Sequence, residues 1–168
     1  MSNLVRRRLV VGNWKMNKTA TEAALFVDQF SEVMPQAAHV EVVLAPPFTA
    51  LHAVRQAAGA APPFGLAGQN VFWEEKGAFT GEISAPMLKD VGCRYVIIGH
   101  SERRQWFGDT DEGINKKIRA ALRHGLLPIL CLGESLADRE SGRTHTIVID
   151  QLQKNFEGLS KEEILMAA

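Results

Sequence analysis

The chain has 168 residues, of which 46% are hydrophobic and 23% charged, and its 19 basic and 19 acidic side chains cancel. This composition predicts one soluble globular domain and excludes a disordered chain. Balanced charge, with a basic run of only three residues (Arg6-Arg7-Arg8), excludes nucleic acid as an expected partner. The apolar runs are shorter than the roughly 18 residues of a bilayer span and no secretory pattern opens the chain, so we expect a cytoplasmic protein without a membrane partner.

Two cysteines, Cys93 and Cys131, lie in separate apolar segments. Neither has a histidine at the spacing of a metal ligand, and one pair of cysteines does not make a disulfide framework. We therefore predict two packed thiols, and we expect no metal and no other cofactor.

Five short segments rich in Val, Ile and Leu are typical of strands that are buried on both faces of a parallel sheet. In chain order these segments are Leu9 to Gly12, Val40 to Ala45, Phe64 to Gly68, Tyr95 to Ile98 and Leu127 to Leu132. The predicted helices are Thr19 to Met34, Pro46 to Gly59, Asp109 or Thr110 to Gly125, Asp138 to Phe156, and a final short turn that a capping box of Ser160 and Glu163 begins.

Each predicted strand ends in a polar or turn residue. These residues are Asn13, Pro46, Asn70, His100 and Gly133, and they recur about every 24 to 33 residues, the length of one strand-helix unit. Alternating strands and helices predict either an open doubly wound sheet or a closed barrel. Both folds place binding groups at the carboxyl ends of the strands, so we expect the functional residues there.

The segment VIIGHSERRQWFG, Val96 to Gly108, changes from a buried strand to a cluster of polar side chains across a single glycine. Gly99-His100-Ser101 could begin the Gly-x-Ser-x-Gly turn of serine hydrolases, but Arg103 stands where the final glycine belongs and would crowd that turn. The glycine patterns of phosphate loops and of dinucleotide-binding folds do not occur in the sequence. The cluster therefore predicts the edge of a different kind of site.

The segment VVGNWKMN, Val10 to Asn17, places an amide and a cation after the first predicted strand. A lysine in a loop is usually an ordinary surface residue, and Lys15 taken alone would be one. At the carboxyl end of a strand, however, Lys15 beside Asn13 suits an anionic, oxygen-rich small molecule such as a sugar phosphate.

The chain carries, in order, the motifs VGNWKMN, GQNVFWEEKGAFTGEIS, VIIGHSERR and CLGE. In order and in spacing these motifs resemble the triosephosphate isomerase family, and the resemblance covers the whole chain. It implies an α/β fold, a truncated (β/α) TIM barrel of about five parallel strand-helix units that form one partial domain over residues 1–168. It also implies the isomerase reaction of glycolysis and gluconeogenesis, which interconverts dihydroxyacetone phosphate and glyceraldehyde 3-phosphate by proton transfer.

The resemblance implies roles for four residues. His100 matches the family's electrophile, a neutral imidazole that polarises the substrate carbonyl so that an adjacent C–H proton can be removed. Lys15 matches the cation that neutralises the phosphate and the developing enediolate, and Asn13 matches the amide that helps to hold the substrate. Glu102 matches an acid near His100 and Lys15, and the alternative role for Glu102 is a structural partner of the lysine.

The segment from Asn70 to Glu82 matches a protruding loop that, in the family, docks into a second subunit. The resemblance implies a subunit interface formed by Phe72, Trp73, Phe79, Thr80 and Glu82. The alternative for the aromatic residues is local packing beneath the loop.

A barrel of this family has eight strand-helix units, and this sequence supplies five. In the family, the units that follow carry the glutamate that acts as general base, a lid that excludes water, and glycine-rich turns that grip the phosphate. The resemblance thus implies that the chain alone is inactive and that it pairs with a complementary C-terminal fragment or assembles with its own copies. The alternative is a truncated, catalytically silent relative that self-assembles or weakly binds phosphorylated trioses.

Overall fold

A computed structural model describes residues 8–34 and 39–168. Five strands alternate with helices, as the sequence predicts. The strands are β1 (Arg8–Asn13), β2 (Val40–Ala45), β3 (Gly65–Gly68), β4 (Tyr95–Ile98) and β5 (Leu127–Leu130). The helices are α1 (Ala20–Val33), α2 (Phe48–Ala57), α3 (Ala85–Asp90), α4 (Ser101–Phe107), α5 (Asp111–Arg123), α6 (Leu136–Glu140), α7 (Thr144–Asn155) and α8 (Lys161–Leu165).

The strands follow one another in the sheet in chain order, β1-β2-β3-β4-β5. β1 and β2 are parallel, with Asn13 opposite Ala45 at their carboxyl ends, and β2 pairs with β3 in the same sense. The predicted fold class, a partial TIM barrel of parallel strand-helix units, is confirmed. Two of the three residues in the basic run, Arg6 and Arg7, lie outside the described residues.

The chain divides into two compact units. Unit 1 comprises Met1–Gln69 and Leu88–Tyr95, and unit 2 comprises Asn70–Met87 and Val96–Ala168.

Unit 1 has a core formed by α1 and α2 against the first strands. Thr19 and Glu22 form a capping box at the start of α1, which confirms the helix predicted from Thr19 to Met34. The helix buries Ala23 and Val27 completely. A row of aromatic rings extends along the same helix, in which neighbouring ring centroids are 5.1 to 6.1 Å apart and the members are Trp14, Phe26, Phe30 and Phe64.

Unit 2 buries the apolar side of α5, where Ile114 and Ile118 have no exposed surface. The main-chain N–H of Cys131 donates to the carbonyl of Ile98 at 2.9 Å, which joins the ends of β4 and β5. Ala168 pairs with the other edge of β5: it accepts from Leu130 N–H at 3.0 Å and donates to the Pro128 carbonyl at 2.9 Å. Ala168 therefore satisfies part of the hydrogen-bonding edge of β5.

The single helix predicted from Asp138 to Phe156 is wrong. Two helices, α6 and α7, occupy this region, and Gly142 between them adopts a left-handed φ of 71° that ends α6. The sequence signal was present, because Ser135 and Asp138 form a capping box one turn before the predicted start. The short helices α3 and α4 were also not predicted, since neither is long enough to show a helical period.

The two candidate caps of α5 have different roles. The side chain of Thr110 caps the helix by accepting the N–H of Gly113 at 3.2 Å. Asp109 instead forms an ion pair with the buried Lys117.

Both cysteines are free thiols, and Cys93 is only 2% exposed. Burial raises the pKa of the Cys93 thiol to about 12. Cys131 is half-buried, and burial raises its pKa as well. The prediction of packed thiols is confirmed. None of the helices in the described part of the chain combines the length and the apolar character that a bilayer span needs.

Candidate active site

In unit 1, the loop after β1 holds Lys15 in an unusual backbone conformation. Lys15 has a φ of 52°, in the left-handed region that costs a residue with a side chain about 1–2 kcal/mol. The side-chain Oδ1 of Asn13 accepts the main-chain N–H of Lys15 at 3.0 Å and so stabilises the turn. The residue at the end of the strand therefore determines how the exposed lysine leaves the loop.

Gln69, at the end of β3, contacts the same loop from the other side. Its Nε2 donates to the main-chain carbonyl of Lys15 at 2.9 Å and to that of Ala45, at the end of β2, at 2.8 Å. The Ala45 carbonyl also accepts Trp14 N–H at 3.1 Å. The carboxyl ends of three strands thus fix the Lys15 peptide. Sequence reasoning missed Gln69, although it lies inside the GQN motif.

In unit 2, His100 lies two residues after the end of the fully buried strand β4 and is the N-cap of α4. Its Nδ1 accepts the main-chain N–H of Glu102 at 3.2 Å. A nitrogen that accepts a hydrogen bond carries no proton, so the ring in this arrangement is neutral and its proton is on Nε2. The histidine is therefore set to donate a hydrogen bond from Nε2.

The carboxylate of Glu102 lies close to the same histidine nitrogen. Its Oε2 is 3.5 Å from His100 Nδ1, longer than an ordinary hydrogen bond, and the side chain is 45% exposed. The shorter main-chain contact decides the tautomer. The structure thus brings Glu102 and His100 together within unit 2, and Asn13 and Lys15 together within unit 1.

Gly99 makes the turn from β4 to His100 possible. It has a φ of 77°, and a Cβ at this position would lie 3.1 Å from both the Cys131 carbonyl and Ile114 Cδ1. The Gly99 carbonyl accepts from Arg104 Nε at 2.9 Å, and Arg104 Nη1 contacts Asp111 Oδ1 at 2.6 Å. Arg104 therefore ties the histidine turn to the start of α5.

A cavity of about 670 Å³ in unit 2 lies beside α4 and the loop after β5. Glu134 is on its lining, and this carboxylate accepts from Arg139 Nε at 2.8 Å and Thr144 Oγ1 at 3.1 Å. The main-chain N–H of Glu134 itself and these two partners lower the pKa of its carboxyl. A lowered pKa makes a carboxylate a weaker base, so Glu134 is suited to a structural role.

The predicted interface segment folds around a cluster of aromatic rings. The ring of Phe72 lies 4.1 Å from that of Trp73 and 4.6 Å from that of Phe79, between centroids. Phe72 and Trp73 are half-buried, whereas Phe79 is 41% exposed. Thr80 and Glu82 are exposed.

A buried lysine anchors the first residue of this segment. Lys117 is 3% exposed, and its Nζ donates to Asn70 Oδ1 at 2.9 Å and to both carboxylate oxygens of Asp109 at 2.8 Å. Burial lowers the pKa of Lys117, while the hydrogen bond that it donates to Asp109 opposes that shift. Sequence reasoning missed this contact, because 47 residues separate Lys117 from Asn70.

Parallel strand-helix units with polar side chains after the strands define a protein of the α/β barrel class. The sequence matches the family profile of triosephosphate isomerase over residues 8–168. It is 51% identical over 155 residues to a triosephosphate isomerase of Moorella thermoacetica, covering 92% of this chain and 61% of the relative. It is 49% identical over 163 residues to that of Thermoanaerobacter pseudethanolicus, covering 96% of this chain and 64% of the relative.

A third triosephosphate isomerase, from Dictyoglomus turgidum, is 45% identical over 160 residues, covering 95% of this chain and 64% of the relative. The chain therefore belongs to the triosephosphate isomerase family. It spans a little under two thirds of the length of these relatives.

Proposed function

We propose that this chain contributes the electrophile and the cation of a triosephosphate isomerase, which interconverts dihydroxyacetone phosphate and glyceraldehyde 3-phosphate. The observation that carries the proposal is the hydrogen bond from Glu102 N–H to His100 Nδ1, which leaves Nε2–H as the donor. Family membership supports the substrate class.

In the proposed reaction, His100 Nε2–H donates to the carbonyl oxygen of the triose. The neutral ring withdraws electron density from the carbonyl without adding a full charge, so the proton on the adjacent carbon becomes more acidic. The negative charge that develops on the oxygen strengthens this hydrogen bond. His100 is therefore the catalytic electrophile of the proposal.

Lys15 is proposed to neutralise the phosphate and the enediolate charge that develops during proton transfer. Because Asn13 Oδ1 accepts the N–H of Lys15, the Nδ2 group of Asn13 is the one left to donate to a substrate oxygen. Glu102 is proposed to act beside His100 in the catalytic group. In this proposal residues 1–168 form one partial barrel domain.

The proposal includes a second requirement, a general base, and we propose that none of the described residues serves as that base. Family membership implies a glutamate on a later strand, and Glu134 is a poor substitute because its pKa is lowered. A positioned base is worth about 10² to 10⁴ in rate. We therefore propose that the 168-residue chain alone is inactive and that a complementary C-terminal segment restores turnover.

The experiment is an isomerisation assay of the purified chain with and without a C-terminal segment taken from the Moorella thermoacetica relative. We expect turnover only when both pieces are present. A matched control adds the same segment to the chain carrying Lys15→Met, which removes the cation. Turnover by the chain alone at the rate of its full-length relatives would contradict the proposal, as would a complemented Lys15→Met chain of undiminished activity.

We further propose that the chain assembles, with copies of itself or with that C-terminal segment, in the cytoplasm. The proposed subunit interface comprises Phe72, Trp73, Phe79, Thr80 and Glu82. The exposed ring of Phe79 supports this proposal, as do Trp106 at 71% and Phe107 at 67% exposure, because aromatic side chains are enriched at protein interfaces.

The same exposed side chains favour a second candidate, a catalytically silent relative that serves as an assembly module or binds phosphorylated trioses weakly. Size-exclusion chromatography with light scattering, combined with the complementation assay, separates the two candidates. Assembly together with restored turnover supports the isomerase, whereas assembly without turnover supports the silent module.

A further inference from the structure

We infer that Gln69 is a positioning residue for Lys15, because its side-chain amide holds the lysine's peptide in the left-handed conformation that directs the cation. The effect on ligand binding rests on the proposed function, in which Lys15 attracts a phosphate. The effect on the backbone of Lys15 is independent of the proposed function.

The hydrogen-bond partners of Gln69 show that the nitrogen of its side-chain amide makes both contacts. Both contacts, 2.9 Å to the Lys15 carbonyl and 2.8 Å to the Ala45 carbonyl, are made with main-chain oxygens. Carbonyl oxygens only accept hydrogen bonds, so the two N–H groups of the amide must both donate. A carboxylate of the same shape has no proton to offer and would repel both oxygens.

The Lys15 peptide is held on both sides. Its N–H donates to Asn13 Oδ1 at 3.0 Å, and its carbonyl accepts from Gln69 Nε2. A φ of 52° is disfavoured for a residue with a side chain and persists only where surrounding contacts fix it. Loss of the bond to the carbonyl should let Lys15 return to negative φ, and its side chain would then leave the loop in another direction.

The second bond of Gln69 gives the contact its rigidity. The Ala45 carbonyl at the end of β2 accepts from Gln69 and also from Trp14 N–H at 3.1 Å, one residue before Lys15. Gln69 itself is half-buried at the end of β3. The Gln69 amide is thus fixed relative to the sheet, and its bond to the Lys15 carbonyl fixes the loop relative to the sheet as well. This arrangement distinguishes Gln69 from a side chain that only fills space.

The test compares Gln69→Glu and Gln69→Met with the wild-type 168-residue chain. Glu keeps the shape and removes both donors, while Met removes the donors without adding charge. Gln56→Glu, at an exposed position of α2, is the matched control for the charge change. Urea unfolding confirms that each variant folds. The probe of position is the three-bond coupling between the amide and α protons of Lys15, read together with the nuclear Overhauser effect between the same two protons, which is stronger at positive φ and so gives its sign.

We expect both Gln69 variants to shift the Lys15 coupling toward negative φ, while Gln56→Glu leaves it unchanged. Inorganic phosphate is titrated while the Lys15 resonances are followed. It should bind about tenfold more weakly to the Gln69 variants, which is about the effect of losing one hydrogen bond. Either variant folding with the wild-type coupling overturns the positioning role. A wild-type chain with no phosphate response refutes the proposed role of Lys15 in binding, and the coupling measurement still decides the role of Gln69.

Discussion

The Nδ1 atom of His100 accepts the main-chain N–H of Glu102 at 3.2 Å, within the first turn of α4. This contact between residues two positions apart fixes both the orientation of the imidazole and the nitrogen that carries its proton. An N-cap contact, which usually only stabilises the start of a helix, here also leaves Nε2–H of His100 as a hydrogen-bond donor.

Replacement of this histidine tests the proposed electrophile. His100→Gln should lower the turnover of the complemented assembly by about 10² to 10⁴, because an amide does not present the same donor at the same place. Steady-state kinetics with glyceraldehyde 3-phosphate measure the effect. His145→Gln, at an exposed position of α7, is the control and should keep wild-type turnover. Retained turnover in His100→Gln would show that another group polarises the carbonyl.

The turn before His100 should tolerate no side chain. Gly99→Ala combines left-handed strain with a Cβ 3.1 Å from the Cys131 carbonyl, so we expect it to lower the free energy of unfolding by about 2–5 kcal/mol. Gly142→Ala has nearly the same φ, 71°, but nothing within 4 Å of the added carbon, and should cost only about 1–2 kcal/mol. Urea unfolding compares the two. Equal losses would mean that the space around Gly99 is not restrictive.

The buried thiol of Cys93 should make the protein less stable in alkaline solution. Burial raises its pKa from 9.0 to about 12, so the folded chain keeps this proton to a higher pH than the unfolded chain does. The stabilisation is complete below pH 9 and should be lost above it at about 1.4 kcal/mol per pH unit, until the folded pKa is reached. Urea unfolding at increasing pH measures this decline.

Cys93→Ala removes that titration, so its free energy of unfolding should decline less steeply with pH than the wild type's. Lys117, whose pKa burial lowers, acts in the opposite direction in both proteins. The difference between the two slopes therefore isolates the thiol. Parallel slopes would show that the folded and unfolded thiols titrate alike.

The exposed ring of Phe79 provides a test of the proposed interface. Phe79→Asp should reduce the average mass in light scattering, because a charge would be desolvated in any apolar contact at that place. Ile149→Asp on α7 is a control of similar exposure, 39% against 41%, and should leave the mass unchanged. If both variants alter the mass equally, the assembly does not depend on the segment from Asn70 to Glu82.

Sequence alone determined the elements whose signals are local. The five apolar runs gave the strands, and the bounds of β2 and β4 agree with the structure. The capping box at Ser160 located the start of α8, because a cap and its partner are three residues apart. The motifs at the strand ends, through their resemblance to the family, likewise identified Asn13, Lys15, His100 and Glu102 as candidates.

Tertiary structure decided the contacts that join distant parts of the chain. Gln69 reaches the carbonyl of Lys15 across 54 residues, and Lys117 reaches Asn70 across 47. A pattern of local propensity carries no information about such pairs, since they form only when parallel strands bring the two segments together. The sequence specified which groups are available, and the register of the sheet specified which of them contact the main chain of Lys15.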